Sequence, residues 1–135
     1  MSGLLQPDSP AGRLLVDLVS GQSIALEAAG DEPSVAVGRF RFSAAALRWG
    51  NARLIAAAAD VSGTVLIDEV GPLELAGGGL RDGVDAMLAR SGGETLLVVR
   101  ETLVEDARRT LGLRQARLIG VAEWPHAAQA GMAIP

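Results

Sequence analysis

The sequence contains no lysine and no cysteine, a single histidine (His126), and only two tryptophans and two phenylalanines as aromatic residues. Each absence removes a class of chemistry. Without cysteine there are no disulfides and no thiolate metal sites. One histidine and no cysteine leave no basis for zinc chemistry or for Cys-His and Ser-His triads. Positive charge comes from 12 arginines alone, set against 16 acidic residues for a net charge of −4. No basic stripe is visible, which argues against a nucleic-acid partner. No apolar run approaches the ~20 residues that span a bilayer. The N-terminus, MSGLLQPDSPAG, has neither the basic start nor the sustained apolar stretch of a secretory signal. A soluble, cytoplasmic protein with no membrane contact is expected.

What is present suffices for one core. A chain of 135 residues has the size of a single domain, and by size scaling it buries roughly two thirds of its unfolded surface. Residues 1–12, with Pro7 and Pro10, read as a flexible lead-in. RLLVDLV (13–19) and SIALEA (23–28) flank SGQ as a β-hairpin. SVAVGRFRF (34–42) alternates as one strand, with Val35, Val37, Arg39 and Arg41 on one face and Ala36, Phe40 and Phe42 on the other. Ser43 is placed to cap a helix over 44–59, in which Leu47, Leu54, Ile55 and Ala58 form the apolar stripe. Gly50-Asn51 is a point where that helix would break or kink.

From Thr64 onward strands and helices alternate. TVLIDEV is a continuous apolar strand of the kind covered on both faces. Residues 79–90 read as a helix, TLLVV (95–99) as a second strand, 101–111 as a helix and ARLIGVA (116–122) as a third strand. Such alternation predicts a parallel sheet with right-handed crossovers. The domain is expected over 13–122, with a tail at 123–135.

The chemistry centres on TVLIDEVGPLEL (64–75), where an apolar strand delivers Asp68 and Glu69 side by side, followed by a Gly-Pro turn and Glu74. Ligands in open parallel sheets collect at the carboxyl ends of strands. One such carboxylate can hold magnesium together with phosphate oxygens, and the next can orient or deprotonate a water.

IDEVGPLEL resembles the signature of the thermophile-type, or cancer-related, nucleoside-triphosphatase family, small P-loop proteins whose Walker B strand runs into this pattern. GRLLVDLVSGQSIAL is similar to that family's hairpin, VAVGRF to its following strand, and LLVVR to the strand after the Walker B helix; together these cover about residues 12–122. The resemblance implies an α/β fold with a parallel, three-layer P-loop NTPase-like sheet and an N-terminal antiparallel hairpin. It makes Asp68 the magnesium-side acid, Glu69 the water-activating acid, Glu74 a further motif acid with a place at the turn, and Arg100 a basic residue facing phosphate.

The sequence departs from the family at its front. The family's opening strand, Gly-rich loop ending in Gly-Lys-Ser/Thr, and helix have no counterpart here. AGGGL (76–80) lacks a lysine and does not follow a strand directly, so it reads as a helix entry; RSGGE (90–94) is a turn. A charge-assisted hydrogen bond contributes roughly 1.5–3 kcal/mol, so losing three removes about 5–9 kcal/mol. A complex near −8 kcal/mol, about micromolar, would fall to millimolar or weaker. The isolated chain is therefore expected to hold no cofactor and to be inactive, with Mg²⁺ and NTP bound only if a P-loop is supplied. Three functions follow: a truncated, non-catalytic interaction or regulatory protein; the Walker B half of a split NTPase completed by a P-loop-bearing partner; or a small-anion or metal binding module. Sheet edges left by the missing strand predict a homodimer or a hetero-complex. Arg108-Arg109, Trp49, Trp124 and His126 are read as surface, packing or tail residues.

Overall fold

The computed structural model describes residues 1–120. Trp124, His126, the tail at 123–135 and the last two positions of the expected strand 116–122 lie outside the described residues.

The N-terminus, expected as a lead-in, is instead built into the sheet. Ser2–Leu5 forms strand β1, and Asp8–Ser9 forms the short β2. β1 runs parallel to β7 (Thr64–Val70) on one side and antiparallel to β3 (Gly12–Asp17) on the other. The reason is burial. Leu4 is almost wholly excluded from solvent and joins Leu15, Val65 and Ile67 in the core. Gly3 permits the close approach, since any Cβ there would overlap the Leu66 carbonyl of the neighbouring strand. Two prolines and a Gly-Pro-like composition masked a four-residue strand that only pairing stabilises.

The predicted hairpin forms between β3 and β4 (Ser23–Ala25), with Leu15 opposite Ile24. The stretch read as one strand over 34–42 is instead a second hairpin. Ser34–Val37 (β5) and Phe40–Ser43 (β6) pair antiparallel across Gly38-Arg39. Gly38 has φ +58°, a conformation glycine adopts without a Cβ penalty. The reversal places Val35 opposite Phe42 and Val37 opposite Phe40, which joins residues the alternation had set on different faces.

Helix α1 spans Ala44–Ala58, and the Ser43 hydroxyl accepts the Ala46 amide at its start, as the capping rule predicts. The helix is continuous through Gly50-Asn51. A Cβ at Gly50 would lie within 2.7 Å of Leu80 and 3.2 Å of Leu4, so glycine here seats the helix on the sheet. Leu47 and Leu54 are buried, whereas Ile55 is half exposed.

The second half follows the predicted alternation. β7 leads into a short helix α2 (Pro72–Leu75), then α3 (Arg81–Leu88), β8 (Glu94–Val99), a 3-10 turn (Glu101–Leu103) and α4 (Val104–Thr110). Val65 and Ile67 face the apolar sides of α1 and α3, where Leu54, Leu80, Val84 and Met87 complete the core. β8 pairs parallel with β7. The result is a mixed α/β fold. Parallel strands β1, β7 and β8 continue into an antiparallel N-terminal part, in the order β2-β3-β1-β7-β8 with β4 added on β3. Residues 116–120 form no strand. Instead, Leu113 and residues 116–119 line a groove beside β8, and among the described residues β7 is the only strand paired with β8.

Candidate functional site

Three parallel strands end side by side, and each delivers a polar residue to the same place. Gln6 follows β1, Glu69 is the penultimate residue of β7 and Arg100 follows β8. The Gln6 amide donates to the Glu69 carbonyl at 3.1 Å. Arg100 meets the Glu69 carboxylate through two contacts of 3.4 Å. These residues line a cavity of about 300 Å³ whose far wall comes from the first half of the chain: Arg13 of β3 and the Gly38–Phe40 turn. The Phe40 ring carries two guanidiniums, Arg13 at 5.5 Å and Arg39 at 5.1 Å from its centroid. Ligands in parallel sheets bind in such a crevice beyond the strand ends.

Glu74 borders this cavity but is turned inward. Only 6% of it is exposed. One carboxylate oxygen accepts the Gly71 amide at 2.9 Å, and the other accepts the Leu80 amide at 3.0 Å. Burial raises its carboxyl above the ordinary value; the two amides oppose that shift, and the Glu69 charge adds to it. Beside it, Asn51 donates to the Gly79 carbonyl at 2.9 Å and accepts the Gly83 amide at 2.8 Å. Together Glu74 and Asn51 fix the glycine-rich segment 76–80 against α1, which is what allows α3 to begin at Arg81. The Glu74 contacts reproduce a capping arrangement at α2, with Pro72 in its first turn.

Asp68 is not in this cavity. The structure sets it on the opposite side of Glu69, in a larger groove of about 510 Å³ along β8. That groove is walled by Leu66, by residues 95–99, by Val104 and Ala107 of α4, by Leu113 and by 116–119. Burial raises the Asp68 carboxyl, and the adjacent Glu69 charge raises it further. The acidic pair is thus adjacent in sequence and divided in space: Glu69, Glu74 and Arg100 border one cavity, Asp68 another. Successive residues of a strand point to opposite faces, and β7 is also irregular between Asp68 and Val70.

Magnesium, the metal the family resemblance implies, needs carboxylates together with phosphate oxygens or water. Here Asp68 stands by itself in its groove while Glu69 is tied to Arg100. Among the described residues no group of three potential ligands comes together. The residues present do not fit a self-sufficient magnesium site. Arg108 lines the Asp68 groove, and Arg109 bonds Asp106 one turn away on α4. Trp49 packs partly against the core under Arg53.

Sequence reasoning singled out Arg100, Glu69 and Glu74 but missed Gln6, Arg13, Arg39 and Phe40. Gln6 was hidden in the supposed lead-in. The other three are brought in by the β5–β6 reversal, for which the Gly38-Arg39 pair was the available signal.

Fold and site together define an α/β protein with a charged crevice at the carboxyl ends of parallel strands and a buried motif acid beside it. A family model described as NTPase matches residues 4–123, so the chain belongs to that nucleoside-triphosphatase family. No curated protein and no solved structure gives a significant match. Among the described residues no helix is long and apolar enough to cross a membrane.

Proposed function

We propose that the chain is a non-catalytic, interaction or regulatory member of the nucleoside-triphosphatase family. In this reading the chain keeps a P-loop NTPase-like three-layer arrangement, and the protein works in the cytoplasm. One observation carries the reading: Glu69, the acid that would activate water, is held by Arg100 on one side of β7, while Asp68 lies in a separate groove. A base must stand within hydrogen-bond reach of the water it activates, and metal, phosphate and base must share one centre. The absence of lysine adds to the case. Glu74 in this reading is a turn residue rather than a catalytic one. The test is phosphate release from magnesium-ATP and magnesium-GTP by the purified chain. No release above that of a Glu69→Gln variant is expected; turnover that disappears in Glu69→Gln would overturn the proposal.

A second reading, in which a partner chain supplies the P-loop segment, is favoured by a different observation. The groove beside β8 is bordered by five successive strand residues, 95–99, and by Asp68. Exposed strand edges accept strands from other chains. A strand seated there would bring its end towards Asp68, and Mg²⁺ and NTP would then be held jointly by both chains.

A further inference from the structure

We infer that the outer edge of β8 is a self-association surface, on which β8 of a second copy of this chain pairs antiparallel about a two-fold axis at Leu97. The inference rests on the reading of the chain as an interaction protein of its family, and it names the partner as the chain itself.

The exposure of β8 is the first argument. This strand carries the apolar run TLLVV, yet none of its residues is buried, whereas β7 beside it buries Val65, Ile67 and Val70. Among the described residues β7 is the only strand paired with it. The groove of about 510 Å³ lies along it, and Val98 and Leu118 in that groove are exposed. An apolar edge strand is a template for pairing with another chain.

Hydrogen-bond direction and strand length together select one register. Backbone groups of successive strand residues point alternately to the two edges. The Glu94 amide donates to the Gly63 carbonyl at 3.0 Å, on the β7 side. Thr95, Leu97 and Val99 therefore direct their N–H and C=O groups outward. In an antiparallel pair, outward residues oppose outward residues, so allowed registers differ by two residues. The extended stretch begins at Glu94, after the Gly93 turn at φ +73°. It ends at Arg100, whose φ −60° and ψ 142° precede the 3-10 turn. Setting Leu97 opposite Leu97 of the second copy overlaps the two stretches over their full length. Thr95 then faces Val99, and about six hydrogen bonds form.

Charge agrees with that register. Glu94 of each copy comes opposite Arg100 of the other, and symmetry makes two such pairs. Opposite charges facing across strands are favourable, and like charges are not. A slip of two residues sets Arg100 opposite Gly92 or Leu96 and loses both pairs. Glu94 is exposed, and the Arg100 side chain is 62% exposed. Arg100 already meets Glu69 at 3.4 Å, but a guanidinium has five donors and can serve two carboxylates. A two-fold interface requires a patch that is complementary to itself, and the edge of β8 is such a patch.

Sedimentation velocity of the full chain from about 1 to 300 µM tests the inference, and a dimer with a Kd on the order of 10 µM is expected. Glu94→Arg and Arg100→Glu each place like charges on both pairs and should weaken dimerisation at least about tenfold. An equimolar mixture of the two variants restores both pairs in a heterodimer and should recover the parent's affinity. Thermal melts establish that the variants are folded. Leu97→Pro gives an independent route, because it removes an outward N–H without removing a bond to β7; it should abolish the dimer. A monomer throughout the range overturns the inference, as does a parent-like dimer in the folded variants or no recovery on mixing. Phosphate release from magnesium-ATP on the same samples addresses the non-catalytic reading separately. A monomer without turnover removes the self-association alone, and a dimer whose turnover disappears in Glu69→Gln removes the non-catalytic reading alone.

Discussion

Replacing Glu74 by alanine removes an acceptor that two backbone amides share. The Gly71 amide lies 2.9 Å and the Leu80 amide 3.0 Å from its two oxygens. Leu80 is buried at 1% exposure, so water cannot readily take over its amide. A buried donor left unpaired costs about 1–3 kcal/mol. The Gly71 amide is only partly buried and recovers some hydration, so it contributes the lower part of that range. Against these losses stands relief of a desolvated carboxyl, whose proton affinity is raised mainly by burial. The balance is a destabilisation of about 1–3 kcal/mol. For a domain between the reference sizes, 1 kcal/mol moves Tm by roughly 3–5 °C, so Glu74→Ala should melt roughly 3–15 °C below the parent. Glu74→Gln keeps one carbonyl oxygen and should lose about half as much. Calorimetry with denaturant titration measures both. If Glu74→Ala unfolds within about 0.5 kcal/mol of the parent, a surface-like effect, then Glu74 does not hold the turn and the structural assignment of this motif acid is wrong.

Other perturbations address different parts of the molecule. Gly3→Ala should destabilise by about 3 kcal/mol or more, because its Cβ would strike the Leu66 carbonyl; the open Gly21 position gives the control, and equal melting of the two variants would show that β1 does not pair with β7. Asp68→Asn should be neutral or stabilising by up to about 1 kcal/mol, since it removes a partly desolvated charge beside Glu69; a magnesium-dependent rise of Tm in the parent that vanishes in Asp68→Asn would contradict a catalytically dead centre. Asp68 and Glu74 both hold protons more tightly folded than unfolded, so stability falls as pH rises from their ordinary values of 3.8 and 4.5 through the raised folded values. Melting temperature should accordingly increase as pH falls through the raised folded values towards 4.5, with a shallower slope in Asp68→Asn; a steady decrease over that window would refute the assignment. Finally, the groove beside β8 should lead to a homodimer or partner complex burying at least ~1,000 Å², and light scattering that finds a clean monomer at high concentration, with nothing captured in a pull-down, would remove that expectation.

Sequence by itself determined the parts governed by local rules. The apolar run TVLIDEV had to be a covered strand, Ser43 had to cap the Ala-rich helix, and SGQ between two apolar runs had to turn a hairpin. IDEVGPLEL was distinctive enough to indicate the family. Tertiary structure decided the rest. Ser2–Leu5 is too short to be a strand on its own propensity and becomes one through pairing with β3 and β7. Gly38 turns one apparent strand into two, and only that reversal brings Arg13, Arg39 and Phe40 to the strand ends where Glu69 and Arg100 emerge. ARLIG forms no strand over the described residues although its composition suits one, because strand formation depends on an available edge. Asp68 and Glu69 are neighbours in the chain, yet the two faces of β7 send them to different cavities. Local propensity acts between residues a few positions apart, whereas a site is made by groups far apart in sequence, and their meeting is fixed by packing and pairing of the whole chain.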